Sequence, residues 1–518
     1  MRREDFIKVK GHVREKDKKI LFDLAPQVGP LSAEVTIEIE MDELFEEHVD
    51  KDIEIIISET SIGAPRYTEG EWSHTEAIEV DPDYKHASPE SYEAYQDRKF
   101  GMRIHWGMYS QLGLDASWPV DARNCSREFI NIYYTLWQVF NPVQFNADEW
   151  ADLADRAGMK WFVFTTKHHD GFCMWDTKTT CKSLKRFAPR PPGIGNIKEV
   201  EMNFSIMDTD FKRDIVKELT DAFRKRGIGV GLYYSHIDWN DPNFRWDARH
   251  RSYDPSYNPE DNPEEWKAFI EREKEQLREI SSNYGPLDYI SFDGSWFDQA
   301  WDSMVDIIKM VRKNQPNCMF RHRGLGPYGD YQTPEHWIPS EAGTGDERVT
   351  KTVWHNIHTY GSNWAWVPND EYEPRETGLA KLIDTVSKGG GMMLGVSPMP
   401  NGRFPKETVE ALEWIGSWLK VNGEAIYATR AWKQFQEGEN IHYTRSKDGK
   451  TVYIIHTGWP DGKVESEALH PESIASISMI GVGQDVKWKK VNSKVVITLP
   501  SGIDKPCEYA YCFKIRLE

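Results

Sequence analysis

Short apolar runs alternate with longer amphipathic stretches between about Phe100 and Gly423. GMRIHWG, KWFVFTTK, IGVGLYYS, LDYISFDG, CMFRHR and MMLGVSP have the length of strands, and stretches of helical spacing follow them. After Asn146 the signals are complete. Asn146 can cap a helix, Glu149 stands where a capping box needs it, Trp150, Leu153, Ala154 and Ala157 form one stripe, and Gly158 ends it. A second helix is expected from Asp210 to Arg226, stopping at Gly227. Repeated strand-then-helix order implies a parallel sheet, and no glycine-rich nucleotide fingerprint follows any strand. The segment therefore reads as a (β/α)8-like barrel with long loops.

The pattern changes on either side. EVTIEIE and DIEIIIS alternate with period two and predict a small β-rich N-terminal module, and the polar stretch with Pro82 and Pro89 predicts a linker. Beyond Arg430 the helical period vanishes. TVYIIHT, SISMIG, DVKWKK, KVVITL and YCFKIRL, separated by Gly, Asp and Pro, predict an antiparallel β-sandwich. The expected division is 1–75 module, 76–98 linker, 99–428 barrel and 429–518 sandwich.

Among 518 residues, 64 Lys and Arg face 83 Asp and Glu, a formal charge of −19. That balance argues against a nucleic-acid partner, which needs clustered positive charge. No apolar run is long enough to span a membrane. MRREDFIKVK lacks the apolar core of a signal peptide, so as written the chain reads as cytoplasmic, or as periplasmic or secreted if a leader was removed. The six cysteines form no CxxC pair and read as buried thiols. Self-association is left open.

In a barrel the C-terminal ends of the strands carry the chemistry. Here they are rich in polar and aromatic groups: His105-Trp106, Lys167-His168-His169-Asp170, Tyr233-Tyr234-Ser235 with Trp239 beyond, Asp293-Gly294 with Trp296 beyond, and Arg321-His322-Arg323. His168 and His169 are adjacent, so on a strand they would face opposite ways, and joint binding of one metal would need the strand to end between them. No metal or organic cofactor is called for. In LDYISFDG, Tyr289, Ser291 and Asp293 share one face, which puts a carboxylate at the end of an inward row. Glu335 arrives on a neighbouring loop. Two carboxylates in an aromatic surround are what glycoside hydrolysis requires.

At these residues the sequence resembles the retaining α-L-fucosidases of the glycoside hydrolases. The resemblance is carried in order by KFGMRIHWGMYS, FNPVQFNADEWADLADRAGMKWFVFTTKHHDGFCMWDT, GLYYSHIDW, LDYISFDG, GDYQTPE, DTVSKGGGMMLGVSPMPNGRFP and WLKVNGEAIY. It implies a barrel followed by a β-sandwich, with Asp293 as nucleophile and Glu335 as general acid/base. It also implies that His105, His168, His169 and Tyr234 hold the sugar's hydroxyls, with Trp106 beside them. The expected substrate is an oligosaccharide or glycoconjugate ending in α-L-fucose or a related L-sugar.

The chain departs from the family pattern at several positions. Arg103 stands where an apolar residue is usual, Ser117-Trp118 replaces a Glu-Trp pair, and Ser291 replaces a Trp. The lost bulk at 291 could admit L-galactose, and Arg103 could meet a polar or anionic substituent such as sulfate. Two other readings stay open: a carbohydrate-binding protein on a decayed scaffold, and a metal-dependent hydrolase using His168, His169 and Asp170.

Overall fold

The computed structural model describes residues 80–518 except 121–124, 188–195, 246–253, 255, 295–300, 324, 341–351, 483–485 and 500–501; before residue 80 it describes only the backbone of four strands. Those strands, Ile7–Val13, Lys19–Phe22, Thr36–Glu38 and Asp52–Ile57, form one antiparallel sheet within a unit spanning Met1–Ala77. Two of them fall in the alternating runs that predicted a β-rich module. Trp296 lies outside the described residues.

The second unit, Ile78–Glu518, contains eight parallel strands. They are β1 (Phe100–Ile104), β2 (Trp161–Lys167), β3 (Gly229–Ser235), β4 (Tyr289–Asp293), β5 (Met319–Phe320), β6 (Tyr331–Gln332), β7 (Val353–Thr359) and β8 (Gly391–Val396). Their spatial order is β5-β4-β3-β2-β1-β8-β7-β6, and an isolated bridge between Arg321 and Tyr331 joins the two outer strands. Each strand thus lies beside its sequence neighbours, the arrangement of a near-closed barrel. Strands β6 and β7 have no counterpart among the expected runs. The first is two residues long, and the second, VWHNIHT, carries polar residues that obscure the apolar run.

Between β1 and β2, α1 (Ala147–Arg156) is capped by Asn146 as expected, but Glu149 closes no capping box, since its carboxylate accepts from the Asn146 side-chain amide at 3.3 Å. The Asn146 side chain accepts from the amides of Asp148 and Glu149, and Gly158 has φ of 78°. The next helix, α2 (Ile215–Lys225), starts five residues later than the apolar spacing suggested, because the Asp214 carboxylate caps it by accepting from the Lys217 amide. α3 (Pro263–Ser282) follows β3, α4 (Trp301–Asn314) follows β4, α5 (Arg375–Ser387) precedes β8, and α6 (Lys406–Asn422) follows it.

Strand alternation sorts the core into two. Phe162, Phe164, Leu232, Tyr234, Ile290 and Phe292 join a large cluster with the helices, whereas Trp161, Val163, Tyr233, Tyr289, Tyr331 and Ile357 form a separate one. Within the stretch expected as a linker, Pro89–Arg98 form a helix capped by Ser88, and its buried Tyr95 belongs to the inner cluster. Tyr95 stacks on His355 with ring centroids 3.8 Å apart and lies against Trp161, so it plugs the barrel at the starts of the strands.

After α6 come a five-stranded and a three-stranded antiparallel sheet, with Tyr443, Ile454, Val464, Val495, Ile497 and Phe513 buried in one shared core. This is the β-sandwich that the C-terminal turns and short runs predicted. Among the described residues no helix is long and apolar enough to cross a membrane.

Candidate active site

Asp293 is the last residue of β4, and its carboxylate is 16 % exposed. On the neighbouring strand β3, Tyr233 donates its hydroxyl to Asp293 Oδ2 at 2.6 Å. Arg323 Nη1 donates to Oδ1 at 3.2 Å, and so does the Gly294 amide at 2.9 Å. Burial pushes the carboxyl up, but Arg323, His169 and Arg321, with the Tyr233 hydroxyl, outweigh it and hold the group well below the usual carboxylate range. Asp293 is an ionised carboxylate aimed at the strand ends.

Glu335 follows β6 on a loop pinned to β7: the Ile357 amide donates to the Pro334 carbonyl and the His336 amide to the Ile357 carbonyl. Arg321 Nη2 donates to Glu335 Oε1 at 2.5 Å, and Arg323 Nη2 donates to Oε2 at 2.9 Å. Burial and the nearby Asp293 push this carboxyl up, yet the two arginines bring it below its ordinary value. One guanidinium, that of Arg323, therefore bridges both carboxylates. Sequence reasoning grouped Arg323 with Arg321 and His322 at the end of this strand but expected only Arg321 among the sugar contacts. The signal was present, since residues two apart beyond a strand end share a face.

The histidines gather on the other side. Strand β2 has a register shift between Thr165 and Lys167, so that Thr165 pairs with Tyr233 and Lys167 with Tyr234. Lys167 is thereby turned to the outer layer, where its Nζ lies 3.1 Å from the Tyr234 hydroxyl and 3.6 Å from Asp238. His168 is turned inward. It stacks at 5.8 Å on Tyr233, lies 5.9 Å from the His105 ring, and shares a hydrogen bond of 2.5 Å between Nδ1 and Ser117 Oγ. Because the strand ends at Lys167, the His168 and His169 rings come within 4.2 Å of each other instead of facing apart. His169 Nδ1 bonds Ser235 Oγ at 2.6 Å. Burial drives the His105 and His168 rings well below the usual imidazole range, which keeps both neutral. Among the described residues no three His, Cys, Asp or Glu side chains are grouped to hold a metal ion.

Trp118, 38 % exposed, packs edge-on against His169 at 4.9 Å and lies 6.0 Å from the buried Trp239. Trp364, on the loop after β7, lies 5.3 Å from His105 and was not singled out by the sequence. Ser291 and Arg103 face the barrel interior, with the Arg103 guanidinium 4.5 Å from the Tyr233 ring centre.

Two expected sugar contacts lie elsewhere. The Trp106 ring is wholly buried against Phe140, Phe145 and Trp150, with its indole N–H given to the Met399 carbonyl at 3.2 Å. As the residue after the inward-facing His105, it points to the helices. Tyr234 is likewise outward, donating to Gln276 at 2.8 Å, and the inward place next to it belongs to Tyr233.

This geometry, a carboxylate pair bridged by arginine and faced by imidazoles and indoles, agrees with the profile comparison. The profile of the family described as Alpha-L-fucosidase matches residues 71–424, and that of Alpha-L-fucosidase C-terminal domain matches 436–516. The chain belongs to the α-L-fucosidase family. Similar proteins include human plasma alpha-L-fucosidase, 26 % identical over 85 % of this chain and 93 % of its own length, and human tissue alpha-L-fucosidase, 28 % identical over 81 % and 88 %. Among solved structures, alpha-L-fucosidase isoenzyme 1 from Paenibacillus thiaminolyticus superposes with a TM-score of 0.69 at 26 % identity, covering 83 % of this chain and 99 % of that one. As an α-L-fucosidase family member, the protein is a glycosidase of the retaining, exo-acting kind whose released sugar is fucose-like.

Proposed function

We propose that the protein removes a terminal α-L-fucose or closely related L-sugar by double displacement, with Asp293 as nucleophile and Glu335 as general acid/base. The observation that carries the reading is Asp293 at the end of an inward row, held ionised by Arg323 and Tyr233. In the first step an Asp293 oxygen bonds to the anomeric carbon while Glu335 gives its proton to the leaving glycosidic oxygen, which departs as an alcohol. Water then attacks the same carbon, Glu335 takes its proton, and the ester to Asp293 breaks. Configuration is retained because inversion occurs twice.

Bridging by one guanidinium fits the carboxyl separation of about 5 Å that this route needs. Glu335 must carry a proton in the first step, whereas Arg321 and Arg323 favour its ionised form. Protonation of Glu335 therefore requires its contacts with both Arg321 and Arg323 to loosen when the substrate enters. In this reading His105, His168 and His169 hold hydroxyls and Trp118 covers an apolar sugar face. Oligosaccharides or glycoconjugates ending in such a sugar are the substrates.

The deciding experiment follows release of 4-nitrophenol from aryl α-L-fucoside by the purified chain and by Asp293→Asn. Turnover in the first and none in the second is expected, with sugar binding kept in the variant. Near-native turnover in Asp293→Asn overturns the nucleophile assignment, and saturable binding without turnover in the unmodified chain points to the carbohydrate-binding reading.

A further inference from the structure

Arg103 takes no part in the reaction described above. It points into the barrel from β1, two residues before His105, and is 2 % exposed. Its Nε and Nη1 are buried and have no hydrogen-bond partner among the described residues. Its guanidinium rests over the Tyr233 ring, whose hydroxyl is already given to Asp293. Burial, then the neighbouring Arg321, pulls its pKa down to about 10, so it remains a cation at neutral pH. A buried guanidinium without a carboxylate partner is costly to keep unless something pairs with it.

The carboxylates nearby are committed. Asp293 is held by Arg323 and Tyr233, and Glu335 by Arg321 and Arg323. Asp170 accepts from the Tyr133 hydroxyl and the Phe172 amide. Three guanidinium groups (Arg103, Arg321, Arg323) thus face two carboxylates (Asp293, Glu335) at the inner end of the site, and the surplus charge is on Arg103. Ser291, separated from β1 by β2 and β3, is a small buried side chain on the strand that carries Asp293. The whole chain carries −19, so long-range attraction does not explain capture of an anion here; a local charge-assisted contact in a dry site does.

We propose that Arg103 selects an L-sugar carrying an anionic oxygen substituent, a sulfate ester or a carboxylate, which pairs with the guanidinium through its unpartnered Nε or Nη1. This deepens the glycosidase reading and rests on it. Either group would receive a charge-assisted hydrogen bond from a guanidinium that stays charged in a dry site.

The test uses the full chain bearing Asp293→Asn, so that bound sugars persist. Calorimetry compares methyl α-L-fucopyranoside with its 2-, 3- and 4-O-sulfates, methyl α-L-galactopyranoside with its 6-O-sulfate, and methyl α-L-galactopyranosiduronic acid. At least one anionic glycoside is expected to bind about tenfold or more tightly than its neutral parent. The preference should vanish when Arg103→Gln is added and return in part with Arg103→Lys. A sulfate preference or a uronate preference supports the proposal and identifies the group. As a check independent of any substitution, inorganic sulfate should compete with aryl α-L-fucoside turnover in the unmodified chain. Turnover of neutral aryl glycosides with no anionic preference in binding overturns this proposal and leaves the glycosidase reading standing. Absence of turnover and of binding for every sugar overturns the glycosidase reading, and this one with it.

Discussion

Tyr233 on β3 gives its hydroxyl to Asp293 on β4 at 2.6 Å, while the adjacent Tyr234 spends its own on Gln276 behind the sheet. Two neighbouring tyrosines thus serve opposite sides of one strand. Tyr233→Phe removes a hydrogen bond to an ionised group, so kcat/KM should fall by about 10- to 100-fold. The Asp293 carboxyl should rise, moving the acidic limb of the pH–rate profile upward. Tyr234→Phe should lower the melting temperature and leave that limb in place. Equal kinetic effects of the two changes would refute the division.

Arg323 is predicted to set both limbs at once. Removing its charge in Arg323→Met raises Asp293, which then ionises at higher pH, and raises Glu335, which then keeps its proton to higher pH. The whole bell in kcat/KM should shift to alkaline pH. A profile that loses height without moving would show that Arg323 only positions the loop.

Asp330, between β5 and β6, is a buried carboxylate that accepts from Arg312 at 2.6 Å, the Phe320 amide at 2.7 Å and the Tyr92 hydroxyl at 3.1 Å, with His86 at 2.9 Å. Burial raises it, but His86, Arg312 and the Phe320 amide bring it below its ordinary value. A depressed folded value stabilises the protein above the unfolded value of about 3.9, and that stability is lost as pH falls through the folded one. Asp330→Asn leaves Arg312 poorly paired and should cost about 3–5 kcal/mol at neutral pH in denaturant titrations. As pH falls below ~4 the gap between variant and parent should narrow, and it should close only below the depressed folded value. Parallel curves would show that the carboxylate charge contributes nothing.

Much of this site could be read from alternation alone. Arg103 with His105, and Tyr289 with Ser291 and Asp293, fall on inward faces because each set is spaced by two, and the Asn146 cap was equally plain. Trp106 and Tyr234 came from matching a pattern without following that parity, and each stands one place from an inward residue. Glu335 sits in a loop, and what aligns it with Asp293 is Arg323 and the pairing with Ile357, both contacts across the chain that no local spacing encodes. The helix at Pro89–Arg98 was hidden by its polar surface, with Tyr95 as its one buried side chain.

The register shift between Thr165 and Lys167 has a consequence for how this stretch can change. Without the extra residue, Lys167 would turn into the barrel and His168 toward the helices, putting a lysine where a neutral ring now faces the reacting centre. Substitutions along β2 each alter one contact, but a single-residue deletion there would swap the identities of everything beyond it. The length of that strand, more than any one of its side chains, is what inheritance has to preserve.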